Sequence, residues 1–114
     1  MTFRDTLCID DVRYDWDERK DLLNRQKHGI SFPVAALVFE DPNCLISADR
    51  VDGGSGEQRW HALGAARLEP DTVAVLLVVH VYREEEHGEE IIRIISARAA
   101  EKHELRRYRA QKME

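Results

Sequence analysis

The side chains with most chemistry to offer are basic, and they are unevenly spread. Residues 93–114 hold 7 Lys/Arg against 3 Asp/Glu, a balance of +4, whereas residues 1–92 hold 10 against 19, a balance of −9. The formal net charge of −5 therefore conceals a cationic C-terminal segment. Such asymmetry marks a surface suited to an anionic partner, although a solvated terminal helix would show the same composition. Within the segment Arg98, Lys102, Arg106 and Arg109 fall at i, i+4, i+8 and i+11, one stripe of a helix. Arg59 and His80 lie instead in stretches that read as strands. Arginine stays charged and grips oxyanions through forked hydrogen bonds, while histidine can give or take a proton near neutral pH.

Other chemistries find little support. The five histidines are scattered and Cys8 and Cys44 are far apart, so no ligand spacing suggests zinc and neither a metal nor a cofactor is expected. Gly53-Gly54-Ser55-Gly56 lacks the Lys and Ser/Thr that complete a phosphate-binding loop, and reads as a turn.

These residues must be positioned by a single unit, since 114 residues, 43% of them hydrophobic, bury one core but not two. The longest apolar run, Val73 to Val79, is far below a membrane span. Met1 to Asp10 carries Arg4, Asp5 and Asp10 and has no apolar stretch resembling a secretory signal, so the cytoplasm is the expected compartment and both cysteines are expected as free thiols.

The expected fold class is α+β: two N-terminal helices, an antiparallel sheet of about four strands, and a C-terminal helix. Arg13 to Trp16 can form a short strand, after which Asp15 or Asp17 can cap a helix from about Asp17 to His28. Gly29 can end it in the left-handed conformation. Ser31 and Pro33 open a second helix over Phe32 to Phe39, apolar nearly all round and so buried. Strands follow over Cys44 to Asp49, Glu57 to Ala65, Thr72 to Tyr82 and Ile91 to Ser96. The third is apolar on both faces, which places it mid-sheet, and a hairpin-sized connection makes the fourth antiparallel to it. On the second, Glu57, Arg59, His61 and Leu63 alternate with Gln58, Trp60, Ala62 and Gly64. Helical spacing returns from Ala97 to about Gln111, with Ala97, Ala100, Leu105 and Tyr108 as its packing stripe.

In this order the residues resemble the BrnT toxin family, whose members pair with BrnA antitoxins. The resemblance runs from about Tyr14 to Tyr108. It is carried by Trp16-Asp17-Glu18, Asn24 with Lys27-His28-Gly29, Phe32 with Phe39 and Asp41-Pro42, Glu57-Gln58-Arg59-Trp60 before Gly64, and Ile92-Arg93-Ile94-Ile95-Ser96-Ala97-Arg98 followed by Glu104 and Tyr108. Residues 1–11 stand outside it as an extension, and Glu101 occupies a position where the family pattern leads one to expect a small hydroxyl residue. The resemblance implies a RelE/ParE-like fold, a ribonuclease that inhibits translation, and neutralisation by a small DNA-binding BrnA-like antitoxin. That partner would bring the toxin to DNA indirectly, in a complex containing two toxins.

RNA cleavage without metal needs a base near the ribose 2′-hydroxyl, cations around the phosphate, and an acid for the departing 5′-oxygen. Arg59 and Arg98 are the first choices as phosphate clamps and His80 for proton transfer. Lys27, Arg93, Lys102 and Arg106 are candidate RNA contacts. Each has a structural alternative. Arg59 can pair with Glu57, Arg98 with Glu101 or Glu104, His80 can be a core histidine, and Lys27 can serve the helix dipole. The alternative to an enzyme is a non-catalytic module that keeps the fold and acts in a DNA-bound regulatory complex.

Overall fold

The computed structural model describes residues 4–9, 12–85 and 87–112. The chain runs through strands β1 (Arg4–Ile9) and β2 (Val12–Asp17), helices α1 (Glu18–His28) and α2 (Phe32–Ala36), and a 3₁₀ turn, Leu37–Glu40. Strands β3 (Leu45–Val51), β4 (Gln58–Leu68), β5 (Thr72–Glu84) and β6 (Glu90–Ala99) follow, and α3 (Lys102–Lys112) ends it.

The expected fold class needs correction. The sheet has six strands in the order β1-β2-β6-β5-β4-β3, and it is mixed, because β2 lies parallel to β6 while the other pairings are antiparallel. Residues 4–9, part of the expected extension, form the outermost strand; residues 1–3, 10 and 11 lie outside the described residues. The second expected helix is only a five-residue α-helix that tightens into the 3₁₀ turn. The C-terminal helix starts at Lys102 rather than Ala97, so Arg98 belongs to β6. The physical reason is pairing: Ala97, Arg98 and Ala99 lie opposite Val78, Leu77 and Leu76, and this continues the strand through alanines that would otherwise favour a helix.

Local signals set the helix ends. Asp17 Oδ1 accepts from the backbone N–H groups of Arg19 at 2.8 Å and Lys20 at 3.3 Å, while Gly29, at φ +71°, closes α1. Ser31 Oγ accepts from the Val34 N–H, with Pro33 in the first turn of α2. Asn24 then ties α1 to the sheet. Its amide donates to the carbonyls of Ile30 and Ala97 and its oxygen accepts from the Ala97 N–H, so the side chain stands in for a strand along β6 beyond its pairing with β2.

The main core fills one sheet face. Tyr14, Trp16, Ala62, Ala66, Leu76, Val78, Ile92, Ile94 and Ala97 pack there against Phe32, Ala35, Ala36 and Val38 of the helical layer. A smaller cluster on the opposite face joins Leu63 and Leu77 to Tyr108 of α3. Asp41 links these layers at the sheet margin. Its Oδ2 accepts from the Ala65 N–H at 2.8 Å and from the Tyr108 hydroxyl at 2.5 Å, and burial followed by this bond pushes the phenol up to about 12. Gln111 Nε2 donates to the Asn43 carbonyl and fixes the far end of α3. No helix among the described residues is long and apolar enough to cross a membrane, and Cys8 and Cys44 are free thiols.

Candidate functional site

Strand register decides which chemical side chains meet. Trp60 lies opposite His80, which puts both on the core face and leaves the alternate residues Arg59 and His61 on the other. Leu45, Leu63, Leu77 and Arg98 form one row across that second face. Ser47, His61, Val79 and Ser96 form the next. A register shift after Val79 then brings Val81 opposite Arg93, which lies opposite Asp15. The face thus gathers Arg59, His61, Arg83, Arg93 and Arg98 from three neighbouring strands, over the buried floor of Val81 and Ile91. Such a floor is what arginine stems cover while their heads remain polar.

Each of these side chains faces a carboxylate. Arg98 forks onto Glu104 at 2.8 and 3.0 Å, with Glu101 at 3.3 Å. The forked bonds hold the Glu104 carboxyl at about 2 and raise Arg98 above its usual value. Arg93 meets the buried Asp15 at 3.2 Å, Arg83 meets Glu57 at 3.2 Å, and Arg59 touches Asp52 at a looser 3.7 Å. Asp52 is itself held below the ordinary carboxylate range, chiefly by the Ser55 hydroxyl and then by its backbone N–H. Arg59 therefore pairs with Asp52 rather than with the Glu57 neighbour considered from sequence.

His80 is on the wrong side of the sheet to join Arg59 and Arg98. It is completely buried, with its ring edge-on to Phe39 at 4.8 Å and to Tyr82 at 5.0 Å. Among the described residues its Nε2 has no hydrogen-bond partner, and burial drives the imidazole down to about 4, so it is neutral at neutral pH. Its position fits a core histidine. Lys27 is exposed in the last turn of α1, the helix that packs against β6 and β2. Lys102 and Arg106 are exposed on α3, the helix that covers the Leu63–Leu77 end of that face. With Arg109 they keep the helical stripe, but Arg98 is not part of it.

The functional candidate passed over in sequence is His61. Its alternation with Arg59 was the available signal, and its ring Nε2 lies 3.2 Å from Asp49 Oδ2. Among the described residues no group of three or more His, Cys, Asp and Glu is placed to hold a metal ion.

The mixed sheet thus has one face packed into the core and one face lined by arginines paired with carboxylates. Residues 16–104 match the family described as the ribonuclease toxin, BrnT, of type II toxin-antitoxin systems. The chain belongs to the BrnT family. Among curated proteins no sequence matches it. The BrnT match spans the structure from Trp16 to Glu104, taking in all of β3 to β6 and both α1 and α2. It therefore includes the whole arginine face. A type II system supplies a protein antitoxin, so family membership also gives this chain an antitoxin partner.

Proposed function

We propose that the chain is an endoribonuclease that cuts RNA without metal, inhibits translation in the cytoplasm, and binds RNA phosphates on the face bearing Arg59 and Arg98. The observation that supports this most is the convergence of Arg59, Arg83, Arg93 and Arg98 on one sheet face. Strand and row spacings put the Cα atoms of Arg59 and Arg98 roughly 16 Å apart, so the two arginines grip different phosphates of one strand. A phosphodiester oxygen replaces a carboxylate as the counter-charge, and Arg59, with the loosest pair, exchanges most readily. Arg93, Lys102 and Arg106 extend the contact, and Lys27 of α1 is a further candidate.

Neutralisation uses the same charges. An acidic segment of a BrnA-like antitoxin covers the arginine face, and two such pairs assemble on DNA through the antitoxin. The ion pairing also favours a second reading, a non-catalytic module, because each arginine already has its own carboxylate. Expression of the chain with and without a BrnA-like antitoxin, followed by mapping of RNA ends, separates the two. Growth arrest with new RNA ends, both relieved by the antitoxin, is expected. Normal growth and intact RNA from the chain expressed alone would contradict the ribonuclease reading.

A further inference from the structure

We propose that His61 is the proton-transfer group of the arginine face and that Asp49 positions it. The inference rests on the ribonuclease reading, but its geometry is independent of the family match. His61 occupies the middle row of the face, between the row of Arg98 and the position of Arg59 two residues along β4. An RNA strand held at those two arginines crosses this middle row, in which His61 is the titratable side chain.

The ring is both held and reachable. Asp49 Oδ2, on the neighbouring strand β3, lies 3.2 Å from Nε2, and the two side chains are 29% and 28% exposed. The other ring nitrogen, Nδ1, has no hydrogen-bond partner among the described residues. This is how a carboxylate commonly orients an imidazole: one nitrogen is occupied, the tautomer is fixed and the opposite nitrogen is presented to the reaction. His80, on the buried face, has neither a carboxylate contact nor access.

The step balances without a co-reactant. Nδ1 of neutral His61 takes the proton of a ribose 2′-hydroxyl. The oxygen's electron pair forms the bond to phosphorus, and the bond from phosphorus to the 5′-oxygen breaks with its pair going to that oxygen, which takes a proton from solvent. The products are a 2′,3′-cyclic phosphate end and a free 5′-hydroxyl, and the imidazolium returns its proton to solvent. The charged and titratable groups around the face include Asp49 of β3, Asp52 and Glu57 of the β3–β4 turn, Arg59 of β4, Arg83 of β5, Arg93 and Arg98 of β6, Arg13 and Asp15 of β2, and Glu101, Glu104 and Arg107 at the α3 end, with His80 behind the sheet.

The test uses the full chain with a mixed-sequence single-stranded RNA oligonucleotide. His61→Gln and His61→Ala should lower kcat about 100-fold at neutral pH with KM changed only a few-fold. Asp49→Asn should lower kcat less than the His61 substitutions do, with KM little changed, and Asp49→Glu, which keeps the carboxylate, should restore part of the loss. A purely structural Asp49 would accept the isosteric amide better than the longer acid. Folded His61 variants that cleave at the wild-type rate, or an Asp49→Asn variant with wild-type kcat, would overturn the proposal. If neither His61 variant retains the wild-type circular dichroism, the comparison of Asp49→Asn with Asp49→Glu decides alone. A wild-type chain that cleaves no RNA defeats the ribonuclease reading and this inference together, whereas wild-type cleavage with unimpaired His61 variants defeats this inference only.

Discussion

The two faces of the sheet treat their histidines oppositely. His80 on the core face is packed edge-on against two aromatic rings and kept neutral, with one nitrogen unpartnered among the described residues. His61, one strand away on the other face, stands partly exposed against a carboxylate among arginines. Both lie in the same sheet, and one step of strand register separates them. Residue type therefore says less about chemistry than the face on which the residue emerges, since burial opposes the charge that proton transfer requires.

That contrast can be tested first through stability. The folded-state pKa of His80, about 4, lies below the ordinary histidine value of 6.5. Between those values the unfolded chain binds the extra proton, so the stability contribution is present above pH 6.5 and is lost as pH falls towards 4. Urea unfolding of wild type should therefore weaken over this window by up to about 3 kcal/mol from this group, and His80→Leu should remove most of that slope. Equal slopes in the two proteins would place His80 in a far wetter setting than its contacts show.

A smaller effect is expected at the back of the core face. A Cβ added to Gly64 would lie 2.9 Å from Val38 Cγ1 and 3.0 Å from the Val38 carbonyl oxygen. Backbone cannot yield as a flexible side chain can, so Gly64→Ala should destabilise by about 2 kcal/mol, read as a lower urea midpoint at unchanged slope. The smallest effect belongs to α3. Exposed Lys102 and Arg106 should add phosphate contacts at the rim of the arginine face, so Lys102→Ala with Arg106→Ala should weaken RNA binding and flatten its salt dependence by about 1 to 2 in log–log slope. An unchanged salt slope would confine RNA to the sheet.

What was legible beforehand was local. Asp17, Gly29 and Ser31 announce the helix ends through their own backbone chemistry, and each does what its residue type suggests. The Glu57 to Gly64 alternation already separates Arg59 and His61 from Trp60. Non-local pairing was not legible. Arg4 to Ile9 has no periodic pattern that demands a sheet, and nothing near Val12 to Asp17 indicates that it runs parallel to a strand more than seventy residues later. The face of His80 was hidden for another reason. Thr72 to Tyr82 is apolar on both sides, so alternation within it carries no direction, and only pairing with Trp60 resolves it. Arg98 was drawn into the last helix by the alanines around it, whereas the ladder to Leu77 keeps it on the sheet. The long-range link from Asp41 to Tyr108 likewise joins two short motifs whose proximity no spacing rule reveals.

The central claim is that phosphate chemistry belongs to the arginine face and not to the buried histidine. It is tested most directly by the cleavage rate of one single-stranded RNA by Arg59→Ala and by His80→Leu, each measured beside wild type and with folding checked by circular dichroism. Loss of about 100-fold in Arg59→Ala, with His80→Leu cleaving near the wild-type rate, is the predicted result. Wild-type cleavage by Arg59→Ala together with inactive, folded His80→Leu would contradict it.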